Sequence, residues 1–310
     1  MSFDLIQELL QQRAELNARL NLIPYDGSLE IKERDGKKYI YIRKRVLGKH
    51  TSTYIDLYSD EIFASISKLL NDAREYKKQI RKINKQLAEL GYVEEELTPR
   101  VLLNIDFARA NMKSNIYDQA ILEGIATTFP DTETIIDNGK VKNMTASDVQ
   151  KILNLKHTWE FIMDKDVVSA PSNYAILCHI AGLVNEGFYT YGGRIRSVPV
   201  SIGGTNYIPP IPLESSVKES IEGILSKSID DIDIAIELCL YCMKTQIFND
   251  GNKRASVIFA NHYLISKGQG LLVIPESKVS TFKKLLVKYY EDKDNGEIIE
   301  FMKTHCWKKF

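Results

Sequence analysis

The polar turn at residues 249–254 holds the densest set of side chains that could do chemistry. It reads Asn249-Asp-Gly-Asn-Lys-Arg254 and joins two apolar helical segments, Ile232 to Met243 and Arg254 to Ser266. A polar turn at the start of a helix leaves several backbone N–H groups unpaired, and these bind anions together with the helix dipole. The turn therefore predicts a cradle for a phosphate-like ligand.

The residue types inside this turn fit phosphate chemistry. Gly251 lets the backbone approach a ligand closely, and Lys253 and Arg254 supply positive charge for phosphate oxygens. Asn249 and Asn252 complete the cradle, while Asp250 could hold Mg²⁺ through one carboxylate beside bound phosphates. The alternative is a helix corner whose polar residues only cap the second helix, but six consecutive residues without an apolar side chain exceed what capping requires.

The same segment resembles the signature of the Fic/Doc (Fido) family, His-x-Phe-x-Asp/Glu-Gly-Asn-Gly/Lys-Arg. It reads here Gln246-Ile-Phe248-Asn-Asp250-Gly251-Asn252-Lys253-Arg254. The run Ser197 to Pro212, which includes Ile202, Gly203, Gly204 and Thr205, is similar to the family's flap. That flap is a β-hairpin on which a target segment docks by strand addition. Leu122-Glu123-Gly124 is similar to the family's inhibitory helix, in which a glutamate reaches the nucleotide site.

The resemblance implies transfer of AMP or phosphate from ATP or another nucleotide, with Mg²⁺, to a hydroxyl of a target protein. The family's general base is the signature histidine, and Gln246 stands in its place. An amide cannot take up a proton near neutral pH, so the rate enhancement of ~10²–10⁴-fold that a general base provides is missing. His262 lies about 15 Å along the next helix and is out of reach. His179 is best interpreted as structural.

Two further departures from the family pattern concern the inhibitory glutamate. Val257 replaces a second arginine with which the inhibitory glutamate usually pairs, and Gln119 replaces the usual serine or threonine four residues before Glu123. Glu123 is expected to pair with Lys253 or Arg254 instead, or to cap its own helix. Lys253 matches the Doc-like form of the loop.

Three functions stay open at this level. The first is a nucleotidyltransferase or phosphotransferase whose catalysis is impaired or altered by Gln246. The second is a degenerate Fic protein that binds a nucleotide or a peptide strand without turnover. The third, weaker idea is removal of a modification, with Glu123 orienting water.

Composition limits the partners. The chain has 310 residues, with Lys plus Arg and Asp plus Glu at 41 each, so no global charge attracts nucleic acid or a membrane. Its apolar runs are shorter than the ~20 residues of a membrane span. The four cysteines are too few for a disulfide framework, which favours a cytoplasmic location, and Cys239 and Cys242 are interpreted as buried helix thiols.

The first hundred residues predict a separate module. Residues 3 to 20 read as a helix, and three strands follow at Leu29 to Glu33, Tyr39 to Arg45 and Thr51 to Leu57, with Asp35-Gly36 as a hairpin turn and Leu47-Gly48-Lys49 as the second. Apolar heptads from Ile62 to Leu90 predict a long helix. This helix is expected to pack on the first helix, with a homodimer through residues 60–90 as the alternative.

The basic residues 28–50 have two interpretations. Eight basic and three acidic side chains could form a phosphate-binding patch, but a solvated hairpin edge protected by lysines is commoner, so nucleic acid is not the favoured partner.

The sequence thus predicts a mainly α protein. A small α+β module at 1–95 (helix, three-stranded meander, long helix) precedes a Fic-type helical domain with a β-hairpin flap at 105–303 and a tail at 304–310.

Overall fold

Helices dominate the structure, a computed structural model that describes residues 2–46, 49–94, 96–142, 144–294 and 296–310. Internal contacts divide the chain into two compact units, residues 1–94 and 95–310. The prediction of a mainly α fold with a small antiparallel sheet is confirmed. No helix in the described ranges has both the length and the apolar character needed to cross a bilayer.

The first unit contains two helices and one sheet. Its elements in chain order are α1 (Ser2–Asn21), β1 (Ser28–Arg34), β2 (Lys37–Val46), β3 (Lys49–Leu57) and α2 (Asp60–Glu89). The sheet is antiparallel with the order β1-β2-β3. Asp35 and Gly36 have φ values of 53° and 70°, the left-handed pair that a tight two-residue hairpin turn needs. The turn predicted at Leu47-Gly48 lies outside the described residues.

Helix α2 organises the apolar core of this unit. Its N-terminal half packs Ile66 and Leu70 against Ile40 and Ile42 of β2. Its C-terminal half packs against α1, in a cluster of Leu9, Ile83 and Leu87. The long helix and its packing on α1 are as expected, except that Leu70 rather than Leu69 is fully buried. A homodimer through residues 60–90 stays a prediction.

The second unit is a helical bundle with one short strand pair. Its elements are α3 (Pro99–Leu122), α4 (Phe129–Ile136), α5 (Ala146–Ile162), α6 (Lys165–Val168), α7 (Tyr174–Val184), α8 (Glu214–Leu225), α9 (Asp231–Thr245), α10 (Asn252–Lys267), β4 (Leu271–Leu272), α11 (Val279–Tyr290), α12 (Glu297–His305) and β5 (Trp307–Lys308). A 3₁₀ turn, Glu276–Lys278, precedes α11. The predicted tail supplies the end of α12 and strand β5, which pairs with β4.

Helix α10 lies at the centre of this bundle. Every residue from Arg254 to Ile265 is buried, and the helix packs against α9, α7, α3 and α5. A helix that is covered on all sides is a core helix. Its N-terminus, which carries the predicted phosphate cradle, is therefore held in a fixed position.

Two sequence interpretations about the second unit have different outcomes. Cys239 and Cys242 are buried in α9, and burial raises the pKa of both thiols, as expected for structural cysteines. The β-hairpin expected in the flap is wrong, because residues 197–212 contain turns and irregular backbone without a strand. Four prolines, at 199, 209, 210 and 212, remove N–H donors that a strand ladder would need.

Candidate functional site

The corner between α9 and α10 is a six-residue loop with a left-handed residue at each end. Gln246 caps α9 with φ 49° and ψ 62°, and Gly251 precedes α10 with φ 72°. A left-handed conformation is uncommon for a residue other than glycine, and such residues cluster at functional sites. The segment between them, Ile247 to Asp250, therefore turns sharply from one helix into the next.

The Asn252 side chain fixes the shape of this loop. Its Oδ1 accepts from the Phe248 backbone N–H at 2.9 Å, and its Nδ2 donates to the Phe248 carbonyl at 2.7 Å and to Gln246 Oε1 at 3.1 Å. Asn252 was expected to bind phosphate. Its amide instead holds the loop, so only its backbone N–H is available to a ligand.

Gly251 is required by a close neighbour as well as by its backbone conformation. A Cβ at this position would lie 2.7 Å from Oδ1 of Asn185. Asn185, at the end of α7, donates from Nδ2 to the Asp250 carbonyl at 2.9 Å. The loop backbone thus lies directly on α7, and a larger residue would push it away.

The N-terminus of α10 has no cap. Gly251 offers no side-chain hydrogen bond to the helix, and within the described residues the backbone N–H groups of Asn249 to Arg254 donate to no protein acceptor. Asn249 and Asp250 are exposed. The donors on which the predicted anion cradle depends are therefore still available, together with the positive end of the helix dipole.

Four charged side chains surround this helix start. Arg254 is 2% exposed and donates from Nη1 to the Val184 carbonyl at 2.9 Å and from Nη2 to Asp250 at 3.3 Å. Glu123, at the C-terminus of α3, lies 3.7 Å from Lys253 Nζ and 3.7 Å from Arg254 Nε. The sequence left open whether Glu123 pairs with Lys253 or Arg254 or caps its own helix, and in the structure it pairs with both cations. Gly124 follows it with φ 80° and ends α3.

Three buried polar atoms in this region have no hydrogen-bond partner among the described residues. They are Glu123 Oε1, Arg254 Nε and Asn185 Oδ1. A buried polar atom left without a partner costs about 1–3 kcal/mol. Arg254 Nε is a donor that an anionic ligand could satisfy, whereas Glu123 Oε1 and Asn185 Oδ1 are acceptors that would need a donor from another group.

The Gln246 amide is occupied within the loop. Its Nε2 donates to the Met243 carbonyl at 2.6 Å, and its Oε1 accepts from Asn252. In this arrangement the amide does not extend toward a substrate hydroxyl, and it carries no titratable base.

His262 does not replace that base, because both of its ring nitrogens are bonded in the protein core. His262 is fully buried, with its ring nitrogens 2.8 Å from Ser172 Oγ and 2.8 Å from the Val167 carbonyl. Because a carbonyl only accepts, Nε2 carries the proton and Nδ1 accepts from the serine. Burial lowers the pKa of His262 to about 4. His179 stacks on Phe161 with ring centroids 4.5 Å apart.

The two departures from the family pattern are both buried. Gln119 donates from Nε2 to the Arg254 carbonyl at 2.9 Å and accepts from Trp159 Nε1 at 3.2 Å. It therefore joins α3, α5 and α10 behind the site. Val257 is 2% exposed and belongs to the core.

Comparison with known proteins relates this part of the chain to one family model. Residues 171–264, from α7 through the loop and α10, match the model of the Fic/DOC family. The chain contains a Fic/DOC domain. Residues 4–64 match a domain of unknown function, DUF6788, and a search of curated proteins gives no match.

Two solved structures share the fold of the Fic/DOC domain. A Fic family protein from Desulfovibrio desulfuricans G20 is 16% identical over 68% of this chain and 73% of its own, with a TM-score of 0.53. A Fic domain-containing signaling protein from Bacteroides thetaiotaomicron VPI-5482 is 17% identical over 71% of this chain and 90% of its own, with a TM-score of 0.54. At these identities the likeness concerns the fold.

Arg196, which no sequence motif marks, joins the flap to the loop of the Fic/DOC domain. Its guanidinium is buried and donates to the Gln246 and Pro210 carbonyls, both at 2.5 Å, and to the Val198 carbonyl at 2.8 Å. Longer bonds reach the carbonyls of Pro209 and Thr245. Burial lowers the pKa of this arginine. A single arginine in an irregular stretch carries no motif, so only the fold reveals this role.

The flap residues of the Fic/DOC domain differ in their contacts. Gly203 and Gly204 are exposed and Ile202 is half-buried, and in the described part of the chain their backbone N–H groups donate to no protein acceptor. Thr205 instead donates from Oγ1 to Glu291 at 2.8 Å, after the end of α11. The stretch 202–204 is therefore open to a partner, whereas its C-terminal neighbour is tethered.

Proposed function

We propose that the Fic/DOC domain binds a nucleotide through its phosphates at the N-terminus of α10 and transfers AMP or phosphate to a protein hydroxyl without a general base. One observation supports this proposal above the others. The uncapped helix start, with its free N–H donors, lies beside Arg254 Nε, a buried donor that has no hydrogen-bond partner. Phosphate oxygens would satisfy these donors, and Lys253 and Arg254 would balance the charge.

Glu123 opposes this binding. Its carboxylate lies 3.7 Å from each of the two cations that a phosphate would use. A phosphate approaching them is repelled by this carboxylate and competes with it. Removing the charge with Glu123→Gln should therefore tighten nucleotide binding, by about tenfold for a repulsion of ~1.4 kcal/mol.

The residues present also fit a magnesium ion carried with the nucleotide. The described residues contain no group of three His, Cys, Asp or Glu side chains that could hold a metal ion. Mg²⁺ in nucleotide sites is usually held by one or two carboxylates plus phosphates. Asp250 supplies one carboxylate, with a half-exposed side chain, in the loop that precedes α10. Bound there, the ion would neutralise charge on the phosphates.

Transfer would rest on positioning and electrostatics. The Gln246 amide accepts no proton, so the acceptor hydroxyl loses its proton to solvent or to a phosphate oxygen of the nucleotide. The new bond from the hydroxyl oxygen to phosphorus displaces pyrophosphate when AMP is transferred and the nucleoside diphosphate when phosphate is transferred. Loose phosphoryl-type transition states need little base assistance, which allows a slow reaction. The target protein would place its hydroxyl from a segment docked along Ile202, Gly203 and Gly204.

A second candidate is a nucleotide-binding or peptide-binding module without turnover. The Gln246 amide favours it, because both ends of that amide are already bonded within the loop. The two candidates share the binding step and differ in the labelling of a protein.

Calorimetry of the full chain with ATP and Mg²⁺ tests the binding step. We expect binding that weakens about tenfold in Lys253→Gln, which removes one cation from the helix start. Lys267→Gln is the matched control, because Lys267 is an exposed lysine at the other end of the same helix. If the wild-type chain and Glu123→Gln both fail to bind, the proposal is wrong.

Labelling distinguishes transfer from binding alone. ATP labelled at the α-phosphate reports AMP transfer, and ATP labelled at the γ-phosphate reports phosphate transfer, each in lysate with the wild-type chain and with Gln246→His. A histidine base should raise labelling by ~10²–10⁴ over a weak wild-type signal. If both chains bind ATP and neither labels a protein, the binding module is the correct function.

A further inference from the structure

One face of the three-stranded sheet in the first unit is covered and the other is open. The covered face packs Ile40 and Ile42 on α2. Alternation along β2 puts Tyr39 and Tyr41 on the opposite face, and Tyr54 of β3 pairs with Tyr41 there. We call this open side the tyrosine face.

The three tyrosines form one aromatic cluster. The ring of Tyr54 lies edge-on to the rings of Tyr41 and Tyr39, with centroids 5.7 Å and 6.2 Å apart. Tyr54 is 52% exposed, and Tyr39 and Tyr41 are half-buried. The rings are thus presented by a rigid sheet rather than used in a core.

Basic side chains surround this cluster on the same face. The strand register places five of them there, namely Lys32, Arg34, Lys37, Arg43 and Arg45, opposite or beside the tyrosines. Lys32 Nζ lies 4.7 Å above the ring of Tyr41, which shows directly that they share the face. The one acidic residue, Glu30, accepts a hydrogen bond from Ser52 and lies 3.4 Å from Lys32.

This arrangement separates charge within a chain that is neutral overall. The number of basic residues along the chain does not show which face of the sheet they share, and by itself it favours a solvated hairpin edge. The register adds that five of the eight basic residues share one face with the three aromatic rings. Rings that stack bases, flanked by cations that follow a backbone, are the two parts of a single-strand binding surface.

We propose that the tyrosine face binds single-stranded nucleic acid. Unpaired bases stack on Tyr54 and its neighbours, while Arg43, Lys32 and Lys37 contact phosphates. A duplex hides its base faces, and an acidic peptide has no planar groups for the rings. An anionic membrane would require apolar side chains that insert, whereas the exposed rings here end in hydroxyls.

Fluorescence anisotropy with the full chain tests this proposal. The probes are labelled U12 RNA and dT12 DNA, a 12-base-pair DNA duplex, a poly-glutamate peptide and vesicles that contain phosphatidylserine. We expect both single strands to bind more tightly than the other three probes. Neutralisation of three to five phosphates should give a slope of about −2 to −3.5 for log K against log salt concentration.

Variants with matched controls connect the binding to this face. Tyr54→Ala should weaken single-strand binding by about 5- to 150-fold, whereas Tyr54→Phe, which keeps the ring, should retain it. Arg43→Gln should weaken binding and flatten the salt slope by about 0.7. Lys38→Gln is the charge control, because Lys38 alternates to the other face of β2.

Several results would overturn the proposal. The proposal is wrong if neither single strand binds, or if the duplex, the peptide or the vesicles bind more tightly than the single strands. It is also wrong if Tyr54→Ala binds as tightly as the wild type, or if Arg43→Gln and Lys38→Gln lose equal affinity. Tyr54 and Arg43 are both exposed, so neither substitution removes a core contact. Circular dichroism would detect a variant that failed to fold, and the other variant would then decide.

Discussion

Replacement of Arg196 by methionine should loosen the flap and destabilise the second unit. The buried guanidinium donates to five carbonyls, from the flap on one side and from the end of α9 on the other. Methionine fills similar space and donates no hydrogen bond. The five carbonyl oxygens then lose these donors, and some of them stay buried.

The expected loss of stability follows from these bonds. Three of them are 2.8 Å or shorter, and hydrogen bonds to charged groups each contribute about 1.5–3 kcal/mol. The cost of burying the guanidinium, seen in its lowered pKa, offsets part of that gain. We therefore expect the free energy of unfolding to fall by about 3 kcal/mol. Arg196→Lys keeps the charge without the planar fork and should lose an intermediate amount.

Urea unfolding followed by tryptophan fluorescence measures this loss. Both tryptophans, Trp159 and Trp307, lie within residues 95–310, so the signal reports the second unit alone. Arg194→Met is the matched control. Arg194 is exposed and stacks on the ring of Tyr191, with 3.8 Å from Cζ to the centroid. Arg194→Met should therefore change the free energy of unfolding by no more than about 0.5 kcal/mol.

Limited proteolysis provides a second readout at the flap itself. Cleavage within residues 197–212 should accelerate in Arg196→Met and stay at the wild-type rate in Arg194→Met. The reasoning is refuted if Arg196→Met loses less than about 1 kcal/mol, or if both methionine variants lose equal stability.

Three other substitutions test the site. Gly251→Ala should cost about 1–2 kcal/mol and weaken ATP binding, because φ is 72° and the new Cβ would lie 2.7 Å from Asn185; urea unfolding and calorimetry would show it, and unchanged values would contradict the site geometry. Gln119→Ala should cost about 2 kcal/mol, since Trp159 loses its acceptor; an unshifted Trp159 emission would argue against this contact. Because His262 is buried, we expect the free energy of unfolding of the second unit to fall as the pH becomes acidic. The unfolded chain protonates it near pH 6.5 and the folded chain near pH 4, so the unfolded state binds more protons between these values. The free energy of unfolding should fall by at most about 3 kcal/mol as the pH drops from 7 to 4. His262→Gln should remove that part of the pH dependence, and an identical pH profile in variant and wild type would contradict it.

Binding at the helix start and at the tyrosine face would use different chemistry. The first relies on backbone donors together with Lys253 and Arg254, and the second on exposed rings and cations. Calorimetry with ATP and anisotropy with oligonucleotides can therefore be affected independently, by Lys253→Gln in one unit and Tyr54→Ala in the other.

The sequence by itself determined the local elements of this protein. Apolar periodicity located α1, α2, α9 and α10 to within about two residues, and Asp35-Gly36 located the first hairpin turn, because these features depend on neighbours a few positions apart. The run from Gln246 to Arg254 likewise indicated a loop that exposes helix donors. The tertiary structure decided which side chains remain available to a ligand. It paired Glu123 with Lys253 and Arg254, occupied the amides of Gln246 and Asn252, and replaced the expected flap hairpin by irregular backbone anchored on Arg196. The pairing of Glu123 and the bond from Arg196 to the Gln246 carbonyl join residues about 130 and 50 positions apart, and no periodic pattern along the chain encodes such distances. The amides of Gln246 and Asn252 bond to groups only three to six positions away, but they do so through a loop geometry, left-handed at Gln246 and Gly251, that apolar periodicity does not specify.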